Sequence, residues 1–193
     1  MLTITGQTAT EKQLIERSLA GNQDAFGQLV RKYQDRLFTS LSHLTGSHAD
    51  AEDIAQDAFV QAYLKLSTFR QHCAFYTWLY RIALNILYTR TRRQRIRACL
   101  SHTRQVKAED QSDPHGTPAD ELARREDAGQ IRQALNALSE EHRAILVLRG
   151  VEGFDYDTIA ETLELNVGTV RSRLHRARIE LRDQLQKRQV CLA

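Results

Sequence analysis

The sequence predicts an all-α chain made of two small helical domains, an N-terminal four-helix bundle and a C-terminal helix-turn-helix unit, joined by a flexible linker. Apolar residues recur at spacings of three and four rather than two, and only two prolines interrupt them. The periodicity fails once, from about Arg97 to Leu122, where Ser112, Pro114, Gly116 and Pro118 cluster. A chain of 193 residues with 41% hydrophobic residues suits two small cores better than one large one. The expected boundaries are residues 10–96, a linker over 97–122, and residues 123–188.

Each element has its own signal. Leu14, Ile15 and Leu19 mark a first helix that Gly21 can end in the left-handed conformation. Phe26, Leu29, Val30, Tyr33, Leu37, Leu41 and Leu44 form one apolar stripe of a long second helix, closed near Gly46. Ser47 with Asp50 three residues on resembles a capping box, and Asp50, Glu52 and Asp53 suit a helix N-terminus, so a third helix is expected over about 49–66. A fourth runs over about 75–95, with Phe75, Leu79, Ile82 and Ile86 as its core face. Helical spacing returns with Ile131, Leu135 and Leu138, and Ser139 can cap the helix that carries Ile145, Leu146 and Leu148. Asp155 can cap a short helix through Ile159, Ala160 and Leu163, and a tight turn at Glu164 to Asn166 leads into a longer helix from Val167. That spacing is the helix-turn-helix.

Composition excludes several classes. The longest apolar run, Ala144 to Leu148, is far short of the roughly 20 residues of a membrane span. The first residues, Met1 to Lys12, have neither the basic start nor the apolar stretch of a secretory signal, so a cytoplasmic protein is expected. Cys73, Cys99 and Cys191 are odd in number and far apart, and are read as reduced thiols. No Gly-rich phosphate loop, nucleophile elbow or Cys-x-x-Cys pair is present, so an enzyme is not expected and no cofactor or metal is assigned. Cys99 and His102 could ligate a metal by spacing, but a lone pair in a basic segment is read as incidental.

Net charge is only +3, yet the signs are segregated. Arg81 to Lys107 contains eight bases and no acid, Glu109 to Asp127 is predominantly acidic, and Arg171 to Arg188 is again basic. Two basic patches without an apolar anchor point to a polyanion held at two places, and to nucleic acid rather than membrane. On the last helix Val170, Leu174, Ala177 and Leu181 fall on one buried stripe, which leaves Arg171, Ser172, His175, Arg176 and Arg178 on the opposite arc. Such a helix can enter a major groove, where Arg matches a guanine edge or a phosphate fork. Arg171, Ser172 and Arg176 are expected nearest the bases, with Thr169 and Arg178 at phosphates.

The stretch FRQHCAFYTWLYRIALN, residues 69–85, places Phe69, Phe75, Tyr76, Trp78 and Tyr80 directly before the first basic run. Aromatic rings interleaved with Arg suit unpaired bases, each worth about 1 to 3 kcal/mol of stacking. Trp78, Tyr76 and Asn85 are the candidates for contact outside the core stripe.

FYTWLYRIALN, the preceding DAEDIAQDAFVQAY (Asp50 to Tyr63) and VGTVRSRLHRAR (Val167 to Arg178) occur in order and together resemble the signature segments of bacterial sigma factors of the extracytoplasmic-function group, which retain only regions 2 and 4 of the sigma-70 family. The resemblance spans about residues 11 to 188. It implies that Asp50, Glu52, Asp53, Gln56 and Asp57 dock on the clamp helices of core RNA polymerase. It further implies that Phe69, Tyr76, Trp78, Arg81 and Asn85 melt and read the minus-ten element of promoter DNA. Thr169, Arg171, Ser172, His175, Arg176 and Arg178 would then serve the minus-35 element. An anti-sigma factor is the implied regulatory partner. Where many relatives carry Gly-Asp or Gly-Glu after Phe-Arg, this chain has Gln71, His72 and Cys73, in the loop that helps form the base pocket in the family.

About 26 linker residues reach ~85 to 95 Å, more than the ~70 Å of two turns of DNA, so both elements are within span. Its acidic stretch, Glu109 to Asp127, is expected to lie over a basic patch in the free protein. An ordinary helix-turn-helix regulator acting without polymerase is the rival function, although it would need neither the acidic third helix nor the aromatic fourth.

Overall fold

The computed structural model describes residues 10–101 and 129–191. Among these, all regular structure is helical: α1 Glu11–Leu19, α2 Gln23–Thr45, α3 His48–Leu64, α4 Phe75–Ser101, α5 over 129–137, α6 Glu140–Gly150, α7 Tyr156–Leu163 and α8 Val167–Cys191. A single 3-10 turn, Leu66–Thr68, follows α3. The acidic stretch and the Cys99 and His102 pair lie outside the described side chains.

Local chemistry sets most helix ends. Thr10 and Gln13 form a reciprocal capping box on α1. Asn22 caps α2, Ser47 caps α3, Ser139 caps α6 and Asp155 caps α7, each accepting a backbone N–H three residues on. The expected Ser47, Ser139 and Asp155 caps are all present. α4 continues through Ser101, so the helix overruns the start expected for the linker at residue 97.

α2 packs on α1 and α3, and α3 on α4. Leu29, Leu37, Leu41, Ile54, Phe75, Leu79 and Tyr80 form the heart of this bundle. Leu19 and Ile131, both expected in a core, are exposed, because each sits in a terminal turn beyond the packed part of its helix. α6, α7 and α8 form the second unit around Ile145, Leu148, Ile159, Val170, Leu174 and Ala177. Leu181, one turn farther along the same stripe, is only half-buried.

The two units do not stand apart. α6 lies against α2 and α7 against α4, and their buried residues merge into one apolar cluster. Arg143 of α6 donates to the carbonyls of Leu135 and Asn136, and across the junction to that of Leu44, at 2.8 to 2.9 Å. Gly46, the left-handed cap of α2 at φ 69°, meets the Asn136 side chain so closely that a Cβ would fall 2.6 Å from its Oδ1. Glu152, in the turn between α6 and α7, reaches Arg36 and Tyr76 of the N-terminal bundle.

The loop before α4 departs from the easiest backbone geometry. Gln71 has φ 56°, a conformation that disfavours residues with a Cβ by about 1 to 2 kcal/mol. Cys73 beside it is half-buried against the core. Burial pushes its thiol pKa up, with Arg81 opposing and Glu161 adding to the shift. A suppressed thiolate does not suit a redox switch at Cys73.

Replacing Gln71 with Gly should stabilise the protein by about 0.5 to 1 kcal/mol, net of the extra freedom of the unfolded chain, and raise Tm by roughly 1 to 4 °C. A lower Tm would contradict the strain assigned to this position. In a Cys99→Ser/Cys191→Ser background, Cys73 should react with iodoacetamide at pH 8 several-fold more slowly than an unstructured cysteine peptide. Equal or faster labelling would show the thiol to be activated.

Candidate nucleic-acid interface

α8 begins with a cap built from its own sequence. The Asn166 side-chain oxygen accepts from the Thr169 backbone N–H at 2.9 Å and from the Thr169 hydroxyl at 2.7 Å, while Glu164 turns the chain at φ 54°. The α7 to α8 turn is closed by the Leu165 N–H donating to the Ala160 carbonyl at 2.9 Å. With Val170, Leu174 and Ala177 sealed against α6 and α7, the opposite face is forced outward. Arg171, Ser172, His175, Arg176 and Arg178 are exposed there, and Thr169 is half-buried.

Ion pairing separates the arginines of this helix. Arg173 bonds Glu141 of α6 at 3.1 Å, and Arg182 lies 3.7 Å from Asp183. Arg171 sits over the Tyr156 ring at 5.9 Å. Arg171, Arg176 and Arg178 have no ion pair with any described carboxylate. Their guanidinium groups remain open to a phosphate or a base edge without first breaking a salt bridge. The Ser172 hydroxyl donates to the Thr169 carbonyl at 3.1 Å, which leaves its oxygen free to accept.

At the start of α4 the aromatic residues divide between core and surface. Phe69 is buried and packs edge-on to Phe75, with ring centres 5.7 Å apart, and against Trp78 at 5.1 Å. Trp78 and Arg81 are half-buried and Asn85 is exposed. Tyr76, expected as a contact outside the core, is instead buried, with only 4% exposure. Its hydroxyl donates to Glu152 Oε1 at 2.8 Å, and the Arg36 guanidinium covers its ring at 4.2 Å. Burial and the Glu152 carboxylate both push the Tyr76 pKa up, so the phenol stays protonated as a donor. Phe75 and Leu79 are core, whereas Ile82 and Ile86 pack at its margin.

The third helix places its acids outward. Glu52, Asp53, Gln56 and Asp57 are exposed, and Asp50 is half-buried near the helix start. Arg90 of α4 lies 2.5 Å from Asp57 and 3.5 Å from Asp53, so part of the first basic run is committed to the bundle itself. Arg95 is likewise held by Glu140 at 2.7 Å. Glu52 and Gln56 line one side of a groove between α2 and α3 whose floor is Val30, Phe38 and Phe59, with Val60 exposed at its rim. An apolar groove rimmed by acid fits a partner helix that is apolar on one stripe and basic beside it.

Periodicity gave no sign of this groove floor as a surface, nor of Arg36, Arg143, Glu152 and Phe154 as junction residues. A lone acid in a Val-Glu-Gly turn reads as solvated, and only the packing of two units remote in sequence buries it. Among the described residues, no group of three or more His, Cys, Asp or Glu is placed to hold a metal ion, and no helix is long and apolar enough to cross a membrane.

Comparison with known proteins bears on both units. The Sigma-70 region 2 family matches residues 29–97, and Sigma-70 region 4 matches residues 128–181. The RNA polymerase sigma-H factor of Pseudomonas aeruginosa is 37% identical over 188 residues, covering 91% of this chain and 94% of that protein. The extracytoplasmic-function sigma factor SigW of Bacillus subtilis is 34% identical, covering 90% of this chain and 96% of its own length. Among solved structures, the sigma factor RpoE of Bartonella quintana, in complex with the anti-sigma factor NepR, superposes with a TM-score of 0.71 at 26% identity, covering 83% of this chain and 96% of that one.

Proposed function

Given that the chain belongs to the extracytoplasmic-function group of the sigma-70 family, and so is a polymerase-binding promoter-specificity factor, we propose how its surfaces divide that work. Residues 10–101, to the end of α4, act as region 2, residues 123–188 as region 4, and the segment between them as the tether. The acidic face of α3, with Asp50, Glu52, Asp53, Gln56 and Asp57, engages the clamp helices of core RNA polymerase. The groove beside Glu52 and Gln56 supports this role because it offers an apolar seat next to the charges.

The exposed arc of α8 reads the minus-35 element. The observation that carries this assignment is the contrast between the paired Arg173 and the unpaired, exposed Arg171, Arg176 and Arg178. Arg171, Ser172 and Arg176 face the bases, with His175 beside them, and Thr169 and Arg178 hold phosphates. The start of α4 serves the minus-ten element. Trp78, Arg81 and Asn85 are its accessible members, and Phe69 and Tyr76 join them once the neighbouring packing opens. A base held on an aromatic ring gains about 1 to 3 kcal/mol, comparable with the cost of unstacking it, so the chain can trap an opened strand that polymerase helps to part.

A factor that serves polymerase on promoter DNA acts in the cytoplasm, beside polymerase and chromosome. No reaction of its own is assigned; the family is not known as enzymatic. An anti-sigma factor is the proposed regulatory partner, on the analogy of the Bartonella quintana complex.

Run-off transcription with core polymerase across a promoter library should give defined start sites that depend on this chain. Failure to select any start site would contradict the assignment. Arg176→Ala or Arg171→Ala should weaken use of the preferred minus-35 sequence by roughly 5- to 150-fold and relax selectivity there. A uniform loss on every sequence would move that residue to the phosphates. Glu52→Lys with Asp57→Lys should lower affinity for core polymerase at least tenfold, as measured by fluorescence anisotropy; unchanged affinity would remove α3 from the contact. If about six phosphates are engaged, the log-log salt slope of DNA binding should be roughly −5.

A further inference from the structure

We propose that Glu11, in the first turn of α1, is a positioning residue of the minus-ten surface. Through Tyr33 it sets the first turn of α4, and with it the aromatic platform of Phe69 and Trp78. The inference rests on the promoter reading above, in which no residue of α1 has a part. The Glu11 carboxylate accepts from the Tyr33 hydroxyl and from Lys32 Nζ, the latter at 2.6 Å. Lys32 folds back over the Tyr33 ring, 4.8 Å from its centre, so the three side chains form one cluster where α1 meets α2. Thr10 and Gln13 cap the start of α1 and fix the backbone that carries Glu11.

Tyr33 carries the constraint onward. It is buried, with its ring centre 5.9 Å from that of Phe75 and 5.2 Å from that of Tyr76, the first two residues of α4. Phe75 in turn packs against Phe69 at 5.7 Å and Trp78 at 5.8 Å. An unbroken run of rings thus joins the Glu11 carboxylate to Trp78, the half-buried aromatic of this group that reaches the surface.

This end of α4 needs a hold from outside its own sequence. A helix start is commonly fixed by a side-chain acceptor just before the first turn, and α4 follows Ala74, which has none. The residues before it, 71–74, form an irregular loop. Glu11 brings a negative charge to this end of α4, where the helix dipole favours one. Burial disfavours its ionised form, but Lys32, Tyr33 and the Phe75 N–H outweigh that and hold its carboxyl below the usual carboxylate range. A stacking surface gains most when its ring is already fixed as a base arrives, because ordering a loose ring offsets part of the stacking. Glu11 and Tyr33 act through Phe75 and not by contact with the strand.

The test follows strand opening by the holoenzyme, as the rate at which 2-aminopurine fluorescence rises in the minus-ten element of a selected promoter, beside two affinities. Glu11→Ala and Tyr33→Phe should each slow opening roughly fivefold, the low end of one stacked base, while affinities for core polymerase and minus-35 duplex stay within about twofold of the parent. The double variant should be no slower than the worse single one, because the two side chains act as one unit. Glu11→Gln, which keeps an acceptor for the Tyr33 hydroxyl, should recover much of the loss. Hydrogen exchange at residues 75–78 of the free chain should accelerate several-fold in Glu11→Ala. If Glu11→Ala fails to fold, Tyr33→Phe, which keeps the buried ring, decides. Variants that open promoter as fast as the parent would overturn the proposal. So would a loss shared equally by opening, polymerase affinity and minus-35 affinity, which marks a merely structural role. A parent holoenzyme that opens no selected promoter would sink the minus-ten reading itself, and the proposal with it.

Discussion

Everything this molecule presents to its surroundings depends on how completely its helices bury their apolar stripes. With Leu29, Leu37, Leu41, Phe75 and Leu79 sealed in one unit and Ile145, Leu148, Val170 and Leu174 in the other, the remaining faces have no choice but to look outward. Those faces are where the charges lie. The acids of α3 and the bases of α8 are therefore held on rigid helices, in an order fixed by periodicity rather than by flexible loops. Side chains that must read a groove or seat a partner helix benefit from that rigidity, because less freedom is lost on binding.

Electrostatics then sorts equivalent side chains into different roles. Arg90, Arg95 and Arg173 are tied to carboxylates of neighbouring helices and hold elements together. Arg171, Arg176 and Arg178 have no such carboxylate neighbour among the described residues and are exposed. A count of basic residues cannot make this distinction, since both kinds belong to the same charge runs. It follows that the net basicity of a segment overstates what it offers to a polyanion.

Local signals in the sequence carry through to the fold. The caps at Ser47, Ser139 and Asp155, the turn at Glu164 and the stripe of Val170, Leu174 and Ala177 each depend on residues within a few positions, where propensity and side-chain hydrogen bonds dominate. Leu19 and Ile131 are exposed despite their spacing, because no other element packs over the helix ends that carry them. The outward position of the α8 arc and the α3 acids was legible for the same reason as the stripes. The burial of Tyr76 was not, because it results from Glu152 and Phe154, which arrive from the far half of the chain. The left-handed backbone at Gln71, φ 56°, was not legible either, because glutamine carries no local preference for that conformation.

Strand opening is the act on which the account stands, because binding alone would suit an ordinary duplex-binding regulator equally well. The direct measurement is fluorescence of 2-aminopurine placed in the minus-ten element of a promoter selected by this chain. Core polymerase alone and the chain alone should each leave the signal quenched, and the two together should raise it as the base leaves the stack. A signal that stays quenched with both present, on a promoter that both demonstrably occupy, would contradict the account.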